Sequence, residues 1–243
     1  MLCSGLTGCL EESDDGFDWP IPTEFSCNLS SEYNLECKMY IEGLETPHHS
    51  ISHPENGDLW IIYLNGFVRS WDGESLNEVA DLTPLISRCH MEQGLLGMVF
   101  DEDFIKTRKV LISYVEDGKC DGPNESDLVL ASALILDSGV LDLSSISVLR
   151  EIEQPYRNHN GGHLIHVGNN QYLWGIGDGG SANDPDDNGQ NDNNSLGTIN
   201  LFHYQDNEIN PVMDSNGDPY ILHYGLRNPW RFSLGGTDTL WIA

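Results

Sequence analysis

Asp58-Leu59-Trp60-Ile61-Ile62-Tyr63-Leu64-Asn65-Gly66-Phe67-Val68-Arg69-Ser70-Trp71-Asp72-Gly73 reads as a β-hairpin with a second turn behind it. Two runs rich in β-branched and aromatic residues flank Asn65-Gly66, a dipeptide that tolerates the positive φ of a tight hairpin turn. A second pair follows: Lys109-Val110-Leu111-Ile112-Ser113-Tyr114-Val115 and Leu128-Val129-Leu130-Ala131-Ser132-Ala133-Leu134, on either side of a polar loop carrying Cys120. No amphipathic pattern of ordinary helix length interrupts them, so the chain is predicted to be all-β. A short pattern also recurs after polar turns, in Asp58-Leu59-Trp60-Ile61, Tyr172-Leu173-Trp174-Gly175-Ile176 and Thr239-Leu240-Trp241-Ile242. With repeat units of about 40–60 residues, the first two tryptophans stand two units apart and the last two stand one apart. Short strands with spaced aromatic repeats favour a β-propeller over a sandwich.

The 243 residues carry 39 Asp and Glu against 11 Lys and Arg, a formal net charge of −28. Such a field repels nucleic acid and anionic lipid, so neither is expected as a partner. Acids in this number read mainly as a solvated surface. Residues 1–45 and 46–243 are expected to differ in kind. From residue 10 to about 45 the chain is acidic, contains Ser and Pro and lacks periodicity, which suits a tether better than a core element. No stretch approaches the about 20 apolar residues of a spanning helix.

The six cysteines are Cys3, Cys9, Cys27, Cys37, Cys89 and Cys120. Leu6-Thr7-Gly8-Cys9 looks like the lipobox of a bacterial-type lipoprotein signal, which would make Cys9 the lipidated first residue. Its apolar run is shorter than the about 7–15 residues of such signals and has no basic start. On this reading four cysteines remain. Cys27 with Cys37 and Cys89 with Cys120 are the simplest pairs, although other connectivities stay open. An oxidising, extracytoplasmic location follows.

Chemistry concentrates in three motifs. Asn158-His159-Asn160-Gly161-Gly162-His163-Leu164 places a candidate base in a turn. Gly175-Ile176-Gly177-Asp178-Gly179-Gly180 ends a strand in a carboxylate that could orient it. Tyr224-Gly225-Leu226-Arg227-Asn228-Pro229-Trp230-Arg231-Phe232 supplies a fixed cation. Glycines at such positions let a ligand approach the backbone closely. His163, Trp230 and Arg231 read as structural. Asp184, Asp186, Asp187 and Asp192 lie in one acidic stretch, and Asp214-Ser215-Asn216-Gly217-Asp218 is similar to the start of a calcium loop. Both read as solvated loops, the second because no Glu follows at the right place. The Gly177–Gly180 run is no dinucleotide fingerprint, since no helix pattern follows it.

Together with Glu92-Gln93-Gly94-Leu95-Leu96-Gly97-Met98-Val99-Phe100-Asp101-Glu102-Asp103-Phe104, Gln190-Asn191 and Ser195-Leu196-Gly197, these motifs resemble the soluble glucose/sorbosone dehydrogenase family across roughly residues 50–243. The resemblance implies a six-bladed β-propeller of which this chain would hold about three to four blades. The run Leu240-Trp241-Ile242-Ala243 looks like a strand stopped in mid-course, as a fragment would show. The resemblance further implies pyrroloquinoline quinone (PQQ) and Ca²⁺ as cofactors, a sugar substrate and an external electron acceptor. His159 would be the general base, Asp178 its orienting carboxylate, and Arg227 and Asn228 the cofactor ligands. Gly197-Thr198 departs from the Gly-Lys pair that the family often carries, and Asn158 from the acid of some well-studied active members, although other members also have Asn there. Two other functions are open to the same fold: a non-catalytic propeller binding a protein or glycan, as Hedgehog-interacting relatives are thought to be, and a Ca²⁺-dependent lactonase-like hydrolase. The lactonase would need converging carboxylates around a metal, which His159 with Arg227-Asn228 does not provide.

Overall fold

The computed structural model describes residues 39–236 and 239–243. A compact unit spans Thr46–Ala243. Cys9 and the Cys27–Cys37 pair lie outside the described residues.

Three four-stranded antiparallel meanders follow one another among the described residues. The first is β1 (Pro47–Ser52), β2 (Leu59–Tyr63), β3 (Phe67–Trp71) and β4 (Leu76–Asp81). The second is β5 (Leu95–Phe100), β6 (Lys109–Val115), β7 (Leu128–Ile135) and β8 (Leu141–Ile152). The third is β9 (Gly161–Gly168), β10 (Gln171–Ile176), β11 (Thr198–Gln205) and β12 (Glu208–Pro211). A further hairpin, β14 (Phe232–Leu234) with β15 (Leu240–Ile242), opens a fourth unit. These are the blades of a β-propeller, three of them complete. The helical content is slight: α1 (Phe104–Thr107) is four residues long.

The hairpin around Asn65-Gly66 forms, with Leu59 opposite Trp71 and Ile62 opposite Val68. Gly66 has φ 102, and a Cβ there would lie 2.7 Å from Ile86 Cδ1, so the turn needs glycine both for conformation and for space. β6 and β7 pair from Lys109 opposite Leu134 to Val115 opposite Leu128. Trp60, Trp174 and Trp241 sit on the second strands of the first, third and fourth blades, which accounts for their spacing.

Alternation along β6 explains its nearly unbroken apolar run. Val110, Ile112 and Tyr114 enter the core shared with the first blade, while Leu111 and Val115 enter the core shared with the third. Both faces of the second blade are thus buried. Trp174, with no exposed surface, donates Nε1–H to Ser113 Oγ at 2.9 Å and bridges the second and third blades. Truncating a buried leucine such as Leu111 to alanine would cost about 2–5 kcal/mol.

β13 (Ile221–Tyr224) takes an unexpected place. It pairs with Thr198–Asn200 on the same edge of β11 whose far half holds β12. That position carries the chain back to the end of β10, where the candidate site lies.

Candidate active site

His159 lies in the turn before β9 with φ 57, a left-handed conformation uncommon for a residue with a side chain. The neighbouring packing enforces it. A Cβ on Gly177 would sit 1.7 Å from His159 O, and one on Gly180 would sit 2.5 Å from Asn158 Oδ1. The His159 turn and the Gly177–Gly180 turn therefore interlock backbone to backbone, as only glycine permits. Residues held in sparsely populated conformations cluster at functional sites.

His159 is 1% exposed and its Nδ1 lies 2.7 Å from Asp178 Oδ1. The same carboxylate oxygen accepts the Gly180 N–H at 2.9 Å. Asp178 is itself fixed by its backbone: its N–H donates to Arg227 O at 2.8 Å, and its carbonyl accepts Asn188 Nδ2–H at 3.0 Å. With Nδ1 committed to the carboxylate, the lone pair available to take a proton is the one on Nε2.

Asn228 closes the arrangement from the turn after β13. Its Oδ1 accepts the Gly161 N–H at 3.1 Å, and its Nδ2 donates to Glu92 Oε2 at 3.2 Å. Glu92 Oε2 also accepts the His159 N–H at 2.6 Å. One carboxylate oxygen from the segment before β5 thus ties the candidate base to Asn228. Arg227 takes part through its backbone carbonyl on Asp178, and the residue as a whole is exposed.

The structure brings His159, Asp178 and Asn228 into one hydrogen-bonded cluster with the Arg227 backbone. Glu92 is the member that reading the sequence did not single out. Its signal was present as the lone carboxylate directly ahead of an apolar strand. Asn158 also contributes, its Oδ1 accepting the Ser181 N–H at 3.0 Å between the two turns. His163, Trp230 and Arg231 line the inner strands, where His163 reaches Phe232 O at 3.2 Å and Arg231 Nη2 donates to His48 O at 3.1 Å.

The acidic loops have internal duties. Asp184 accepts the N–H groups of Asn188 and Gly189 at 2.9 and 2.8 Å. Asp218 pairs with Arg150 at 2.9 Å and accepts from the Tyr220 N–H at 3.0 Å. Burial pushes the Asp218 pKa up, but the Ser195 hydroxyl, the Tyr220 N–H and Arg150 outweigh it, and the net shift is downward. Among the described residues no group of three or more His, Cys, Asp or Glu side chains could hold a metal ion.

The family model described as Glucose / Sorbosone dehydrogenase matches residues 44–243. A solved glucose dehydrogenase is 21% identical with a TM-score of 0.70, covering 84% of this chain and 63% of that one. The apo-form soluble aldose sugar dehydrogenase from Escherichia coli is 22% identical, TM-score 0.65, covering 82% and 57%. The PQQ-bound form of aldose sugar dehydrogenase from Streptomyces coelicolor is 19% identical, TM-score 0.69, covering 84% and 58%. The chain thus spans 57 to 63% of the length of these structures, and the TM-scores show a shared fold. By the extent of the family match and the propeller architecture, the chain belongs to the glucose/sorbosone dehydrogenase family.

Proposed function

We propose that the protein in its full-length form is a quinoprotein that oxidises the hydroxyl of an aldose-type sugar, with His159 as general base. The observation that carries this reading is the buried His159–Asp178 pair, Nδ1 to Oδ1 at 2.7 Å, held in a left-handed turn by glycine contacts and Glu92.

Nε2 of His159 removes the hydroxyl proton of the sugar, and Asp178 stabilises the imidazolium that forms. Glu92 holds the backbone of the base and the amide of Asn228 in fixed relation, so proton removal and ligand binding share one frame. PQQ, when bound, supplies the hydride acceptor that no side chain provides. The donor set fits such a group: a guanidinium at Arg227 and an amide at Asn228 suit the carboxylate and quinone oxygens of a planar anion. Arg227 and Asn228 are the residues that would hold the group. For Ca²⁺ the described residues offer no side-chain donor cluster, and no step depends on it.

The Cys89–Cys120 disulfide supports an extracytoplasmic site of action, where an external acceptor would take the electrons. Among the described residues no helix is long and apolar enough to cross a membrane. Attachment through a lipid on Cys9 belongs to the same proposal.

The test compares wild type with His159→Asn, since asparagine tolerates the left-handed backbone. The expected result is saturable PQQ binding by both, with dye-linked aldose oxidation reduced about 10²–10⁴-fold in the variant. A well-folded full-length protein that does not bind PQQ would overturn the reading and favour a binding propeller.

A further inference from the structure

The segment that delivers His159 to its place rests on a loop stapled by a disulfide. Cys89 and Cys120 are bonded. Cys89 lies just ahead of Glu92, whose Oε2 accepts the His159 N–H at 2.6 Å. Cys120 lies in a polar, largely exposed loop from Asp117 to Glu125. Three carbonyls of that loop, Lys119, Gly122 and Pro123, accept from Arg157 Nη2 at 3.1, 3.0 and 3.2 Å.

At the end of the loop, Asn124 Nδ2 donates to Gln154 O at 2.6 Å and to Ser126 O at 3.0 Å. Gln154 Oε1 accepts from Asn160 Nδ2 at 3.1 Å, on the far side of His159. From the Cys89 side, Ser87 Oγ donates to Gln93 Oε1 at 2.8 Å, and Gln93 Nε2 reaches Asn124 Oδ1 at 3.5 Å. The residues flanking His159 on both sides, Arg157 and Asn160, are thus braced by the loop or by the Gln154 it holds. The backbone of His159 itself is braced by Glu92. The disulfide joins these two supports covalently.

We propose that Cys89–Cys120 is a redox-sensitive brace of the His159 turn: its reduction by a dithiol releases the 117–125 loop and loosens the His159–Asp178 pair. The inference rests on His159 being the base. Few apolar side chains anchor the loop, and its cysteine is exposed, which gives an attacking thiolate access. The attacking dithiol forms a mixed disulfide and then its own cyclic disulfide. Its two electrons and two protons end on the Cys89 and Cys120 thiols. Arg157, Asn124 and the disulfide are positioning elements that touch neither substrate nor cofactor.

The test uses the full-length protein without quinone or sugar. Proton NMR follows the deshielded resonance of the His159 Nδ1 proton held by Asp178, with alkylation mapping to verify release of Cys89 and Cys120. On reduction the resonance is expected to broaden or vanish, while far-UV circular dichroism keeps its β signature. With quinone added, kcat falls about 10–100-fold, the scale expected for a slight misplacement of a catalytic group, and KM changes less. Reoxidation restores both. Should reduction or a Cys89→Ser/Cys120→Ser variant unfold the protein, Arg157→Gln with the disulfide intact carries the test, because it cuts three bonds to the same loop. An unchanged resonance in a folded protein with both thiols released, or in Arg157→Gln, overturns the proposal. A resonance that responds in a protein with no sugar oxidation leaves the brace standing and removes the proposed activity instead.

Discussion

His159 and His163 belong to one turn and the strand that follows it, yet the propeller gives them opposite company. His159 meets the carboxylate of Asp178 at 2.7 Å. His163 points into the inner ring of strands, edge-on to His49 and to Phe232 with centroids 4.8 Å apart in both pairs. His48, from the same strand as His49, contacts Arg231. Burial, then the charges of His49 and Arg231, brings the His163 pKa down to about 3. Burial, with Arg231 next in weight, takes His48 to about 3 and His49 to about 4. Burial also lowers Arg231 to about 10. The contrast is one of company: a carboxylate faces His159, whereas the inner histidines are buried beside the Arg231 guanidinium, are kept neutral and serve as polar rings in the packing.

Asp178→Asn should break this contrast most sharply, by giving His159 a partner with no charge. Turnover in the full-length, quinone-loaded protein is expected to fall about 10³–10⁴-fold, as when a triad carboxylate becomes an amide. Retention of most of the activity would show that Asp178 only caps its turn.

Acid should act on the other region. The inner histidines stay neutral in the fold well below 6.5, whereas the unfolded chain protonates them near that value. Their contribution to stability is therefore present above pH 6.5 and is lost as the pH falls toward 4. Denaturant titrations between these limits should show a loss of about 1.4 kcal/mol per pH unit for each fully responding histidine, less where the ring is partly exposed. A flat profile would mean that these rings are open to water.

The smallest effect is expected from His163→Phe. It keeps an aromatic ring between His49 and Phe232, removes one titrating group and forfeits the bond to Phe232 O. The acid slope should become shallower while turnover at neutral pH stays near wild type. A large loss of turnover would place His163 in the chemistry after all.

Much of the fold was legible because several strands are apolar runs bounded by turn residues. The hairpin at Asn65-Gly66, the pairing of β6 with β7 and the tryptophan spacing all follow from local pattern. β1 was not legible, since Pro47-His48-His49-Ser50-Ile51-Ser52 is a polar run whose rings line the inner ring of strands rather than a core. β13 was equally hidden, because its partner edge on β11 is decided by tertiary closure. In the site, His159 and Asp178 stood out by their glycine-rich turns, and Asn228 through the family resemblance. Glu92 did not, because its partners His159 and Asn228 are 67 and 136 residues away in sequence. The stretch ending at Asp218 read as a solvated loop, whereas the Asp218 side chain is largely shielded and serves Arg150 from the neighbouring blade.

The tryptophan bridge between the second and third blades also makes the molecule its own optical gauge. Trp174 is fully shielded and bonded across the blade boundary, and Trp60 is 2% exposed. Emission from both belongs at short wavelength, out of reach of aqueous quenchers. Opening of the seam at Ser113 would bring water to Trp174 and shift its emission to longer wavelength, so blade separation can be followed by fluorescence without any added label.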